Sequence, residues 1–237
     1  MVQKEHFLEQ HDPERKDFQI DRIILFSDAV FAIAITLLII EIKAPEIEAT
    51  HISTTEILGQ LRGLTTKFIG FIVSFFVIAI YWRSHHRIFG FVSQYSEKLI
   101  WLNILFLFTI VLMPFSSAYY SENAQYNIPF YFYCCNILLT GITNFWLLNH
   151  VFNPKNKLVE HLPTARYIHT FRARSIITPA IFLSGILLCP FFPFVARLCF
   201  AFTWPVLAIL NRYYRHKYKE PETHPAKRIK NKKAPTE

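Results

Sequence analysis

The sequence predicts an all-α integral membrane protein with six transmembrane helices per subunit and both termini in the cytoplasm. Of the 237 residues, 52% are hydrophobic and only 18% are charged, whereas the charged fraction of soluble domains is about 25%. The two ends of the chain are polar, and the region between them is a series of long apolar runs. We therefore expect a cytoplasmic segment at 1–21, a six-helix transmembrane domain at 22–211 and a basic cytoplasmic tail at 212–237.

Four apolar runs are clear candidates for spanning helices, because a helix needs about 20 mostly apolar residues to cross the hydrocarbon layer. They lie at 22–42, 68–82, 99–120 and 128–149. An amphipathic stretch from Thr54 extends the second run backwards.

A fifth apolar region, 175–211, would be about 55 Å long as one helix, which is too long for a single crossing. It contains the stretch "CPFFPF", in which Pro190 and Pro193 remove backbone donors and interrupt a helix. Two short helices joined by a tight turn fit this region better than one helix. The total is then six spans.

The distribution of basic residues tests this topology independently, because short loops rich in Lys and Arg stay in the cytoplasm. With six spans and both termini inside, the cytoplasmic segments hold most of the 25 Lys and Arg residues. Those outside are Lys43, Arg62, Lys67 and Arg197. A five-span topology would export the basic tail, so six spans are favoured.

The formal net charge of +8 also raises the possibility of nucleic-acid binding. The basic tail, however, directly follows a spanning helix and contains no recognisable binding fold. We expect it to set the topology and to contact membrane lipids, with no nucleic acid as a partner.

The first predicted helix carries a regular stripe of side chains. Successive helical residues rotate by about 100°, which places selected positions on one face. The stripe consists of Arg22, Ala29, Ile33, Thr36 and Ile40. A hydroxyl in a spanning helix most often bonds a carbonyl of its own helix. On spacing alone, therefore, the stripe is only a candidate interface.

Asp28 lies on the flank of this stripe, where a neighbouring helix would pack. A carboxylate in the membrane is costly and is normally paired or hydrogen-bonded. A proton-coupled or proton-conducting transporter that uses Asp28 is therefore the alternative function. The expected position of Asp28 near the cytoplasmic end of the helix argues against a relay at the middle of the membrane.

Three stretches resemble the transmembrane protein 175 family of potassium channels. The most specific is the motif R-x-x-x-F-S-D in the first helix, formed by Arg22, Phe26, Ser27 and Asp28. The other two are "YWRSHHRIFGF", with Trp82, His85 and His86, and "LNILFLFTIVLMPFSS", with Asn103 and Pro114. The resemblance covers about the first 120 residues, and the last three spans agree only in number and hydropathy.

The resemblance implies a modestly K⁺-selective cation channel in the prokaryotic cytoplasmic membrane, without a carbonyl filter loop. By position, Ile33 corresponds to the apolar constriction and Thr36 to the hydroxyl layer tied to the preference for K⁺ over Na⁺. Leu37 and Ile40 would continue the dry wall of the pore. The residues expected to support the pore helix through hydrogen bonds are Arg22, Phe26, Ser27, Asp28, Trp82 and His85.

The motif occurs once in the chain, so identical subunits must supply the other pore walls. Together with the resemblance, a single copy implies a homotetramer in which the first helices line a central pore. K⁺ would pass transiently, and we expect no resident metal and no cofactor. We also expect no enzymatic activity, because the spans contain no set of nucleophile and base, no HExxH motif and no paired midplane carboxylates.

Overall fold

A bundle of α-helices makes up the described part of the chain. The computed structural model describes residues 16–45 and 53–198, together with 206, 208, 209 and 212. The helices are α1 (Lys16–Ile40), α2 (Thr54–Gly63), α3 (Thr65–Phe89), α4 (Glu97–Val111), α5 (Met113–Glu122), α6 (Asn127–Val151), α7 (Ala165–Leu188) and α8 (Pro193–Arg197). A short 3-10 helix, Pro154–Asn156, lies between α6 and α7. The all-α fold class is confirmed.

Five helical segments within the described ranges are long and apolar enough to cross a membrane. They are Phe18–Ile40, Thr54–Phe89, Glu97–Glu122, Asn127–Val151 and Ala165–Leu188. The chain is therefore a multi-pass membrane protein, as its hydropathy predicts.

The predicted turn at "CPFFPF" divides the fifth apolar region as expected. Helix α7 ends at Leu188, α8 begins at Pro193, and the two helices pack against each other. The remainder of the sixth predicted span lies mostly outside the described residues, as do residues 1–15 and the tail beyond Arg212. The count of six spans and the cytoplasmic termini therefore remain predictions.

Two helices extend beyond the predicted apolar runs. Helix α3 continues to Phe89, past the run that stops at residue 82, because its charged and imidazole side chains are compatible with helix geometry. Helix α7 begins at Ala165 rather than 175, because Thr164 caps it by accepting a hydrogen bond from the Tyr167 amide at 3.4 Å. Hydropathy locates the start of an apolar run, whereas the cap locates the start of the helix.

Helix α1 also begins earlier than predicted, at Lys16 instead of residue 22. Asp28 consequently lies midway along α1, and its expected position near the helix end is wrong. The first turns of α1 carry polar side chains and extend the helix beyond its apolar run.

Helix α6 lies at the centre of the bundle and contacts α3, α4, α5 and α7. Its approach to α7 is close: a Cβ added at Gly141 would lie 2.6 Å from Pro179 Cγ. Helix α1 packs on one side, against α3, α4 and α5. The connections that follow α3 and α6 meet at one end of the bundle, where the Ser93 amide donates to the Leu158 carbonyl at 2.9 Å.

Candidate functional site

Helix α1 has one buried face. Its central buried residues recur at helical spacing, and each is at most 3% exposed: Ser27, Phe31, Ala34 and Leu38. This face packs into the bundle against the helices that α1 contacts. It fixes the rotation of α1 about its own axis, and therefore determines which side chains point away from the bundle.

The opposite face of α1 is uncovered by the described residues of the subunit. Ile33 is 58% exposed, Leu37 38% and Ile40 67%. Ala29 and Thr36 are exposed on the same face. Beyond Arg22, the predicted stripe is therefore an exposed apolar surface with a single hydroxyl.

The Thr36 hydroxyl is satisfied as a donor by its own helix. Its Oγ1 lies 2.9 Å from the Ile33 carbonyl and 3.1 Å from the Ala32 carbonyl. A hydroxyl has one proton and two acceptor lone pairs. Because the proton is directed at the helix backbone, Thr36 is left with its acceptor capacity on the exposed face.

A buried chain of hydrogen bonds joins α1 to α4 and α3. Ser27 Oγ donates to the Ile23 carbonyl at 2.8 Å and accepts from Asn103 Nδ2 at 2.9 Å. Asn103 Oδ1 lies 2.9 Å from His85 Nε2. Each of the three side chains is at most 2% exposed. The chain of bonds therefore holds three helices together at one level of the bundle.

The hydrogen bond to Asn103 decides which His85 ring nitrogen carries the proton. Since Asn103 Nδ2 donates to Ser27, its Oδ1 must be the acceptor, and His85 Nε2 must be the donor. His85 Nδ1 is buried and has no hydrogen-bond partner among the described residues. Stacking fixes the ring, with Phe89 at 4.3 Å and Phe106 at 5.9 Å between ring centroids.

A second contact between α1 and α3 lies beside this chain of bonds. Trp82 Nε1 donates to Asp28 Oδ1 at 2.9 Å. The indole also stacks on His86, with ring centroids 5.7 Å apart. The carboxyl group on the flank of the stripe thus has a hydrogen-bond donor from the neighbouring helix.

The two remaining residues of the predicted support network do not join it within one subunit. Arg22 is exposed and makes no hydrogen bond to Asp28 among the described residues. Its guanidinium carbon lies 6.0 Å from the ring centroid of Phe18, in cation–π geometry. Phe26 is 58% exposed. The assignment of Arg22 and Phe26 to the support network therefore remains a prediction.

Asn103 is the site residue that the sequence did not identify by role. It belongs to a stretch that resembles the family, but the amide gave no indication of its partners. An asparagine within an apolar helix is itself a signal, because a buried amide needs hydrogen-bond partners. Only the packing of α4 against α1 and α3 identifies those partners as Ser27 and His85.

Metal coordination has no support in the parts of the chain that the structure describes. Across residues 16–45 and 53–198, no group of three or more His, Cys, Asp or Glu side chains could hold an ion. The predicted pore-lining side chains lie on the uncovered face of α1, and buried hydrogen bonds join the opposite face to α3 and α4.

The fold and this surface define a multi-pass helical membrane protein whose first helix presents an apolar face with one hydroxyl. Residues 22–114 match the family described as "Endosomal/lysosomal potassium channel TMEM175". The match includes the motif of the first helix, and the resemblance to this family predicted from the sequence is confirmed.

Individual relatives show how far the similarity extends. A potassium channel of Chryseobacterium sp. is 26% identical over 175 residues, which cover 74% of this chain and 85% of that protein. A potassium channel of Chamaesiphon minutus is 39% identical over 101 residues, which cover 43% of this chain and about half, 49%, of that protein. The endosomal/lysosomal proton channel TMEM175 of Homo sapiens is 21% identical over 168 residues, or 32% of its length.

A solved structure gives the same relationship in three dimensions. The crystal structure of a lysosomal potassium-selective channel TMEM175 homolog from Chamaesiphon minutus aligns with a TM-score of 0.63 and 25% sequence identity. The alignment covers 84% of this chain and 97% of that one.

Proposed function

We propose that the protein is a K⁺-preferring cation channel of the cell membrane, in which four identical subunits surround a pore lined by α1. The observation that carries the proposal is the uncovered face of α1, which beyond Arg22 is apolar except for Thr36. One helix cannot enclose a pore, so copies of this face must meet around an axis. The potassium channels among the relatives support K⁺ as the ion.

Ile33 is the proposed constriction. It is more than half exposed on the subunit and projects from the face that would point at the pore axis. A ring of such side chains narrows the path and expels water when closed, which is gating by dewetting. Leu37 and Ile40 lie further along the same face and extend the dry wall.

Thr36 is the proposed selectivity element. Its proton is engaged by the helix backbone, so a ring of its oxygens would present lone pairs to a cation. Such a ring replaces only part of the hydration shell of an ion. K⁺ holds its water less tightly than Na⁺, so partial dehydration costs K⁺ less, and the resulting selectivity is modest.

The hydrogen bonds behind α1 would hold this face in register. Ser27, Asn103 and His85 anchor the buried face, and Asp28 is tied to Trp82 on the flank. A pore wall needs supporting residues to fix its side chains. We assign these residues to support of the pore helix, and Arg22 and Phe26 to contacts made only in the assembled oligomer.

The constriction can be tested by K⁺ flux into liposomes containing the purified protein, with the oligomer mass measured in the same detergent. We expect wild-type flux from a tetramer, and severalfold more leak from Ile33→Asn, because a polar ring no longer expels water. The matched control is Ile72→Asn, since Ile72 is 49% exposed on α3. Equal leak from both variants, or no cation flux from the wild type, would contradict the proposal.

Proton conduction through Asp28 is the second candidate. Two observations favour it: Asp28 lies midway along α1, and more distant relatives, including the human one, are named proton channels. Asp28→Asn keeps an oxygen that can accept from Trp82, so the fold should survive. If this variant retains K⁺ flux and loses proton flux, Asp28 carries a proton path. If K⁺ and proton fluxes are both unchanged, the residue serves support alone.

The remaining parts of the proposal concern the surroundings of the channel. We place both termini in the cytoplasm and assign the basic tail to anionic membrane lipids rather than nucleic acid. We propose no enzymatic activity, cofactor or resident metal.

A further inference from the structure

A cavity between α3, α6 and α7 is not used by the proposed pore. It has a volume of about 220 Å³. Three arginines line it, Arg83 and Arg87 from α3 and Arg174 from α7. This volume is below the roughly 300–1,000 Å³ of pockets for drug-sized ligands, and it suits a smaller group.

The charge at the cavity is one-sided. Arg83 and Arg87 are separated by one helical turn, a spacing at which like charges repel. The described residues that line the cavity include no Asp or Glu. Neither Arg83 nor Arg87 takes part in an ion pair found among the described residues. An anion in the cavity would neutralise this pair of guanidinium groups.

A buried amide at the same cavity has an unused donor. Asn144 is 1% exposed, and its Oδ1 accepts from Ser84 Oγ at 3.1 Å. Its Nδ2 has no hydrogen-bond partner among the described residues. A buried donor without an acceptor is costly. Among the described residues of the cavity, therefore, Asn144 Nδ2 has no acceptor and the arginines have no carboxylate beside them.

We propose that this cavity binds a phosphate group. Two phosphate oxygens can accept from one guanidinium group in bidentate geometry, and a further oxygen can accept from Asn144 Nδ2. No covalent step is involved, since the arginines and the amide only bind and orient the anion. The proposal concerns a site separate from the face of α1 and does not depend on ion conduction.

The position of the cavity favours the headgroup of an anionic lipid over free phosphate. Arg83 lies about 9 Å, or six helical residues, before the end of α3, at the end of the bundle predicted to face the cytoplasm. Ile80 and Phe171 add an apolar wall that an acyl chain could contact. Basic pockets between membrane helices on the cytoplasmic side commonly hold lipid headgroups.

The test is native mass spectrometry of the full-length protein in detergent, titrated with phosphatidic acid and, separately, with zwitterionic phosphatidylcholine. Wild type should retain phosphatidic acid and not phosphatidylcholine. Arg83→Gln/Arg87→Gln should bind phosphatidic acid about tenfold more weakly, because two charged hydrogen-bond donors are lost. Asn144→Leu should weaken binding without changing net charge.

Two comparisons keep the result specific. The matched control is Lys98→Gln/Lys155→Gln, which removes two exposed charges from the same predicted side. The conservative Arg83→Lys/Arg87→Lys variant retains the charge, and its affinity for phosphatidic acid should lie between those of the wild type and of the glutamine variant. The comparison requires that the lysine and glutamine variants both keep the wild-type melting temperature without lipid. If inorganic phosphate alone raises the melting temperature and displaces bound phosphatidic acid, the natural ligand is a soluble phosphate.

Three outcomes would overturn the proposal. The first is equal loss of phosphatidic acid in the Lys98/Lys155 control, which would mean general surface attraction. The second is unchanged binding in a folded Arg83→Gln/Arg87→Gln variant. The third is equal retention of phosphatidylcholine by the wild type.

Discussion

Replacing Asn103 with leucine removes the amide that joins three helices while nearly keeping its shape. Asn103 is 2% exposed, donates to Ser27 and accepts from His85, with both distances 2.9 Å. In Asn103→Leu, Ser27 still donates to the Ile23 carbonyl. His85 Nε2, by contrast, becomes a buried donor without an acceptor. The perturbation therefore acts mainly through His85.

The size of the effect follows from these contacts. Hydrogen bonds between membrane helices are worth about 0.6 kcal/mol each on average, so the two lost bonds cost about 1 kcal/mol. A buried donor without a partner adds about 1–3 kcal/mol. We expect Asn103→Leu to lower the free energy of unfolding by about 2–4 kcal/mol.

A second substitution separates the unpaired donor from the lost packing. His85→Phe removes the Nε2 donor and keeps an aromatic ring against Phe89 and Phe106. The double variant Asn103→Leu/His85→Phe leaves no unpaired polar group at either position, so it should be more stable than Asn103→Leu alone.

The assay is reversible unfolding in mixed micelles at increasing mole fraction of dodecyl sulfate, followed by circular dichroism. An Asn103→Leu protein whose free energy of unfolding lay within about 0.5 kcal/mol of wild type would contradict the expected loss, because that is the range of substitutions away from structural features. A loss of stability in Asn103→Leu/His85→Phe equal to the sum of the losses in the two single variants would contradict it as well.

Two further predictions concern helix packing. Gly141→Ala should lower the free energy of unfolding by about 1–3 kcal/mol, because the new Cβ would lie 2.6 Å from Pro179 Cγ and force α6 away from α7. The melting temperature should fall accordingly, and an unchanged melting temperature would contradict the close approach of the two helices. Trp82→Phe should lower the free energy of unfolding by about 1 kcal/mol or less, because it loses the hydrogen bond to Asp28 at a partly exposed site and keeps a ring stacked on His86. Adding Asp28→Asn to this variant should lower the stability little further. A second loss as large as that of Asp28→Asn alone would argue against the hydrogen bond between Trp82 and Asp28.

The sequence was informative wherever helical spacing decides the outcome. Ile33, Thr36 and Ile40 were predicted to share a face from their spacing, and they do share one. The break at Pro193 was predicted because proline removes a backbone donor, and α8 begins there. These features depend on geometry within one segment.

Features that depend on two segments were harder to predict. Spacing did not reveal that Asn103 lies between Ser27 and His85, because those residues are far apart in the chain and meet only through packing. Arg22 was expected to support the pore helix through hydrogen bonds, whereas in the described subunit its guanidinium lies over the ring of Phe18.

The central claim is that the uncovered face of α1 lines a K⁺-preferring pore, and Thr36 gives its most direct test. The measurement is the reversal potential in a planar bilayer with K⁺ on one side and Na⁺ on the other. We predict a wild-type potential that favours K⁺, a value near zero for Thr36→Ala, and no change for Thr170→Ala, whose hydroxyl also donates to its own helix at 2.9 Å. A wild-type potential of zero, or the same potential in Thr36→Ala as in the wild type, would contradict the account.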